Sequence, residues 1–236
     1  MKKILFSITV MLFTFIITTP VFAANNQEND IEKSYEDAVN GVSDIPLSKI
    51  KSDVNLSTES FKILSDNKES EEDVEINNYV TSEIIYQDEN FTSISATVFS
   101  DIYFNTNSNY IQPLADIGDD KYDSTYGVRA YSRVYYTTFT DRNLTWVNLT
   151  KVTGGWNVYD SSIKLSSRRV RYGSSGWPGV VQSYTKYPSS NSYTYTLPSS
   201  TKPVALTGGY TIGTNSYVQL KRGTSSSWTL YLLNNL

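Results

Sequence analysis

Hydrophobic positions in this chain alternate far more often than they recur at helical spacing. From residue 126 onward, β-branched and aromatic residues come in short runs separated by Gly, Pro, Asn and Ser. That pattern predicts strands over 127–139, 144–153, 162–172, 179–187, 192–197, 210–212, 217–222 and 228–233. Gly154-Gly155, Gly173-Ser174-Ser175-Gly176 and Trp177-Pro178-Gly179 read as breaks, and Gly223-Thr224-Ser225-Ser226 as the turn of a hairpin. A further pair of strands, 79–86 and 91–104, flanks the turn Gln87-Asp88-Glu89-Asn90. The expected fold class is all-β: an antiparallel β-sandwich, Ig-like or similar, over 122–236. Ahead of it stand a β-hairpin segment with a polar connector over 76–121 and a leader over 24–75. In the leader, Ile31, Tyr35, Val39 and Val42 recur at helical spacing and predict a short amphipathic helix. The rest of the leader reads as helical turns or a disordered, solvated tail.

Side chains of a strand point alternately to its two faces. In the first sandwich strand, Val128, Ala130, Ser132, Val134 and Tyr136 share one face, small and apolar enough for a core. Arg129, Tyr131, Arg133 and Tyr135 share the other, a row of cations and rings suited to water. A similar mixture recurs at Lys164, Arg168, Arg169, Arg171 and Tyr172. Around Ser166-Ser167-Arg168-Arg169 the alternation changes parity, which predicts a β-bulge. Arg binds phosphate or carboxylate through two parallel hydrogen bonds, and Tyr adds stacking and a hydroxyl. These rows are therefore candidate contacts for an anionic polymer, although Arg and Tyr also make good exposed cross-strand pairs with no ligand at all. Trp177, in Gly176-Trp177-Pro178-Gly179, reads as an exposed loop-tip ring able to stack on a sugar. Trp146 and Trp228 have apolar neighbours and read as core.

The N-terminus changes the picture of where the protein works. Met1-Lys2-Lys3 is followed by an apolar stretch from Ile4 to Ile17, then Pro20, then Val21-Phe22-Ala23. That layout is a secretory signal peptide over 1–23, cleaved after Ala23 or, alternatively, Ala24. The apolar run is too short for a spanning helix, which needs roughly 20 residues. The expected location is extracellular, with no transmembrane segment in the mature chain. The compact signal and the absence of cysteine suit export from a Gram-positive bacterium.

Composition narrows the chemistry. The chain has no Cys and no His, so disulfides, His-based general acid–base catalysis, catalytic triads and Cys/His zinc sites are all excluded. Residues 126–236 contain only two carboxylates, Asp141 and Asp160, both in turn-like contexts where Asp usually caps a turn. No catalytic set, cofactor motif or sequence-specific nucleic-acid motif appears. Asp116, Asp119, Asp120 and Asp123 do not follow a calcium-loop spacing and read as a solvated connector, with no metal expected. Charge then divides the chain. Residues 24–125 hold 22 acidic and 6 basic residues, whereas 126–236 hold 2 acidic and 12 basic. The expectation is a non-catalytic secreted protein whose basic β domain meets an anionic polymer or glycan at a cell surface. The alternative is a pro-protein whose acidic leader masks a toxic or antimicrobial β domain until cleavage. Nothing in the pattern fixes an oligomeric state.

Overall fold

A computed structural model describes residues 21–45, 64–65, 74–104, 126–222 and 226–236. The signal-peptide residues before Val21 and the aspartates of the 105–125 connector lie outside the described residues. The chain divides into two compact units, Met1–Lys33 and Ser34–Leu236. One helix, α1 (Val21–Val39), runs across that division, so the expected cleavage residues Ala23 and Ala24 stand in its first turns. The larger unit contains the end of α1 and eleven described strands: β1 (Leu64–Ser65), β2 (Val74–Gln87), β3 (Phe91–Phe104), β4 (Tyr126–Asp141), β5 (Leu144–Val158), β6 (Ile163–Gly176), β7 (Val180–Lys186), β8 (Ser192–Thr196), β9 (Val204–Ala205), β10 (Thr211–Arg222) and β11 (Ser226–Asn235).

The strands form two antiparallel sheets packed face to face, as the alternation predicts. The first runs β2-β3-β4-β5-β8, with β9 added beside β5; the second runs β1-β11-β10-β6-β7. Between them lies one apolar core, built from the expected inward face of β4 and its counterparts. Val128, Ala130, Val134, Tyr136, Val170, Val218, Leu220, Leu230 and Trp228 are all buried in it. Trp228 is therefore core as expected, whereas Trp146 is only half-buried. A column of rings, Tyr184, Tyr172, Tyr195, Tyr193 and Trp156, stacks through the interior at centroid spacings of 5.3 to 5.7 Å.

Three departures from the sequence pattern have physical causes. The sequence pattern sets the segment 76–121 ahead of the sandwich, but β3 pairs with β4 from Phe91↔Phe139 to Tyr103↔Tyr126, so the β2–β3 hairpin supplies strands of the first sheet. Gly154-Gly155 and Gly173-Ser174-Ser175-Gly176 do not break strands but lie inside β5 and β6; likewise 211–212 and 217–222 belong to one strand, β10. Glycine stands at 154 because the Tyr193 hydroxyl packs on it: a Cβ there would sit 2.3 Å from that oxygen. By contrast, the expected bulge in β6 is present. Tyr217 pairs with Arg169 and Gln219 with Ser166, which leaves Ser167 and Arg168 opposite Val218 alone. Ser167 adopts a left-handed φ of 51° there.

Candidate functional site

The outer faces of the two sheets differ. On the first sheet, the row Arg129-Tyr131-Arg133-Tyr135 was expected to face water. Arg129 and Arg133 are each only 2% exposed. The end of α1 lies over them. The Tyr35 hydroxyl donates to Asp101 Oδ2 at 2.6 Å, and the Arg129 guanidinium lies 3.3 Å from the Tyr35 ring centroid. Arg129 Nε donates to Asp101 Oδ1 at 2.7 Å. Arg133 Nε donates to Thr97 Oγ1 at 2.8 Å, and its Nη2 donates to Ser34 Oγ. The Tyr35 ring also meets Tyr79 and Phe99 edge-on, at 5.8 and 5.3 Å. Together these groups make a second, smaller core outside the first sheet.

This corrects two expectations. The cationic row is not a solvated face, because a buried guanidinium needs a counter-charge and hydrogen bonds, and Asp101, Thr97 and Ser34 supply them. Of the expected helical row Ile31, Tyr35, Val39 and Val42, the first two are buried as the spacing predicts and the last two are not. Ser34, Tyr35 and Ala38 are buried, while Val39 and Val42 are exposed. After α1 the chain stays on the sheet: Thr81 Oγ1 donates to the Val42 carbonyl at 2.8 Å, and the Ile84 N–H to Asp44 Oδ2 at 2.9 Å. Burial, and then the hydrogen bond to Asp101, pushes the Tyr35 phenol well above its ordinary range. Asp101 carries a sequence signal of its own: it is the only charged residue in β3, an otherwise apolar and hydroxyl-bearing strand.

The remaining candidates divide among five places. Tyr131 and Tyr135 are half-buried beside the arginines; the Lys151 ammonium sits 3.7 Å from the Tyr135 ring centroid. Tyr172 turns inward and is buried in the ring column, so it is no surface contact. Its parity, shared with Val170, decides this. Arg168, on the bulge, donates to Asn191 and so ties down the loop before β8. Arg169 and Arg171 lie on the outer face of the second sheet. Trp177, 52% exposed, stands in the β6–β7 turn against Trp146, at a centroid distance of 5.4 Å.

The outer face of the second sheet forms cross-strand rows. Lys164 pairs with Lys221, Arg169 with Tyr217, and Arg171 with Asn215; Tyr217 and Asn215 pair in turn with Tyr231 and Leu233. Lys164, Lys221 and Arg171 are exposed, and Arg169 is half-buried with its guanidinium 4.7 Å from the Tyr217 ring centroid. The described strands of this sheet contain no carboxylate at all. Lys164 directly opposite Lys221 is a mildly repulsive arrangement, and an anion lying across the face would relieve it. Sequence reading missed Asn215, which falls between the expected strands 210–212 and 217–222, and Tyr217 and Lys221, whose place beside Arg169 and Lys164 follows only from the pairing of β10 with β6.

Of the two turn aspartates, Asp160 acts as a cap. Asp160 accepts from the Ser162 N–H and hydroxyl and pairs with Arg222 Nη2 at 2.5 Å. Burial works to raise its carboxyl, but the Ser162 hydroxyl and N–H and the Arg222 guanidinium outweigh burial and hold it below the ordinary range. Asp141 is exposed at the end of β4. Among the described residues no group of three or more His, Cys, Asp or Glu is placed to hold a metal ion, and no helix is long and apolar enough to cross a membrane.

Fold and surface thus define a cysteine-free, two-sheet antiparallel β-sandwich with one carboxylate-free basic face and a helix end seated on the opposite sheet. Comparison with protein-family models, curated proteins and solved structures gives no match.

Proposed function

We propose that this chain is an exported, non-catalytic binding protein whose basic β domain contacts an anionic or glycan surface such as a cell-wall polymer. The observation that carries this reading is the outer face of the second sheet, where Lys164, Arg169, Arg171 and Lys221 gather on strands free of acids. Clustered like charges project a field beyond the roughly 8 Å screening length of physiological salt and draw in a polyanion. The rings of Tyr217 and Tyr231 on the same face, and Trp177 in the β6–β7 turn, offer stacking surfaces for sugar. The test is retention of the chain from residue 24 onward on purified cell wall, with and without its anionic polymers, across a salt series. Binding that weakens steeply with salt and with polymer removal is expected. Absent or salt-insensitive binding rejects the reading.

A second reading rests on a separate observation: Ser34 and Tyr35, from the acidic leader, sit on Arg129 and Arg133. In that reading the leader masks a toxic or wall-active domain, and proteolysis releases it. Mass spectrometry of the culture supernatant separates the two. If every N-terminus found while activity is present is Ala24 or Asn25, masking by cleavage is wrong.

A further inference from the structure

Beyond Arg171, toward one end of the basic face, the sheet carries a notch. Gly173 and Gly213 pair across β6 and β10, and their row continues to Ser183 on β7 and Asn235 on β11. Both glycines are held at φ near +150° (155° and 151°), a region open essentially only to glycine. A Cβ on Gly173 would fall 1.8 Å from the Gln182 carbonyl oxygen, and one on Gly213 2.1 Å from that of Asn234. With two side chains missing in one row, the sheet surface is dented to a volume of about 290 Å³. The dent is rimmed by Arg171 and Asn215 on one side and by Ser183 and Asn235 at its ends. The rim is one cation among neutral hydroxyl and amide groups, with the exposed Val181, paired with Ser175, on the side away from Arg171.

Resting on the binding reading above, we propose that this notch seats one repeat of a phosphodiester-linked polyol chain. The phosphate lies on Arg171 and the polyol hydroxyls on Asn215, Ser183 and Asn235. Three observations select that chemistry. Arg171 is exposed, and its planar fork matches a phosphate bidentately. Arg169, two residues along the same strand and so roughly 7 Å away, stands ready for the next phosphate. No ring is presented to the notch for a pyranose to stack on: the one aromatic residue lining it, Tyr172, is buried between Tyr184 and Tyr195. An open-chain polyol needs hydrogen-bond partners and no platform, which is what the rim offers.

The test is titration of the mature chain with a poly(glycerol phosphate) oligomer, with oligogalacturonate and dextran as comparators, at several salt concentrations. Ser183→Leu fills the notch without changing charge, and Asn215→Leu does the same from the other side should the first variant fail to fold by circular dichroism. Either is expected to weaken the glycerol-phosphate oligomer about tenfold while leaving the salt slope as in wild type. Arg171→Gln is expected to weaken it about tenfold, the loss of one charge-assisted contact, and to lower the slope by about one counter-ion. The double variant Lys164→Gln/Lys221→Gln is expected to lower the slope without changing the preference for glycerol phosphate. Wild-type affinity in the notch-filled variants overturns the notch; the basic-face reading then stands only if the double lysine variant still loses binding. If the lysine variant also binds as wild type, both fall. Equal binding of oligogalacturonate or dextran overturns the polyol phosphate as occupant.

Discussion

Replacing Asp101 by Ala attacks the point where the leader is held. The carboxylate is fully buried, 2.7 Å from the nearly buried Arg129 Nε and 2.6 Å from the Tyr35 hydroxyl. The Ala variant takes the counter-charge from a guanidinium that water does not reach and the acceptor from a buried phenol. Removing one partner of a buried ion pair costs about 3 to 5 kcal/mol. A domain of this kind is stable by about 5 to 15 kcal/mol in total, so Asp101→Ala is expected to lose a large share of it. Urea unfolding followed by the fluorescence of the buried Trp156 and Trp228 measures the change, with an unaltered m-value as the check that the unfolding transition is the same. The variant Asp101→Leu/Arg129→Met/Tyr35→Phe removes charge and hydroxyl together while keeping volume. It is expected to recover to within about 2 kcal/mol of wild type, because no charge is then left in a dry site. Amide exchange of residues 35–39 gives a second readout, since Asp101→Ala should release that turn before the sheet. A loss below about 1 kcal/mol, with those amides still protected, refutes a buried clamp and places the pair in solvent.

Alkaline stability follows from the buried phenols. Burial pushes Tyr193 up to about 12 and raises Tyr35, Tyr172 and Tyr195 above the ordinary value of 10.0. Each contribution is complete below pH 10 and is lost as pH rises further, because the unfolded chain ionises first. Thermal midpoints are expected to fall above about pH 10, with a shallower fall in Tyr193→Phe. On the acid side, Asp160 is held low by Ser162 and Arg222, and Asp88 by the N–H groups of Phe91 and Asn90. Their contribution is complete above the unfolded carboxylate pKa of about 3.9 and disappears as pH falls through the lower folded values. Asp160→Asn should therefore flatten the melting profile below about pH 4. At the bulge, Ser167→Gly removes a left-handed φ from a side-chain-bearing residue and should be neutral or stabilise by up to about 1 kcal/mol. Gly173→Ala should destabilise by more than that, since its Cβ has no room beside the Gln182 carbonyl.

Much of the architecture was legible in the residues themselves. Two-residue alternation is a local property, so the inward row Val128 to Tyr136 could be assigned from β4 alone. The β6 bulge was legible for the same reason: an extra residue reverses parity, and Ile163 and Leu165 against Val170 and Tyr172 record the reversal. The turn at Asp88 is likewise built from neighbours, with Asp88 Oδ1 accepting from Asn90 and Phe91. The glycine pairs in β5 and β6 misled because a glycine that breaks a strand and one that makes room for a neighbouring chain look the same in one dimension.

The candidate site needed partners far apart in sequence. Alternation decides that Arg129 and Arg133 leave the core face of their sheet, but it does not say whether the other face meets water. That was decided by Tyr35, Ser34 and Asp101, which the fold brings from up to 99 positions away. The same holds for the basic face, where Lys164 meets Lys221 and Gly173 meets Gly213 only because β6 pairs with β10. The sequence by itself determined the strand class, the inward rows and the division of charge between leader and β domain. Tertiary structure alone decided which arginines are buried and which remain exposed, because burial depends on what packs above a side chain and not on its place in the strand.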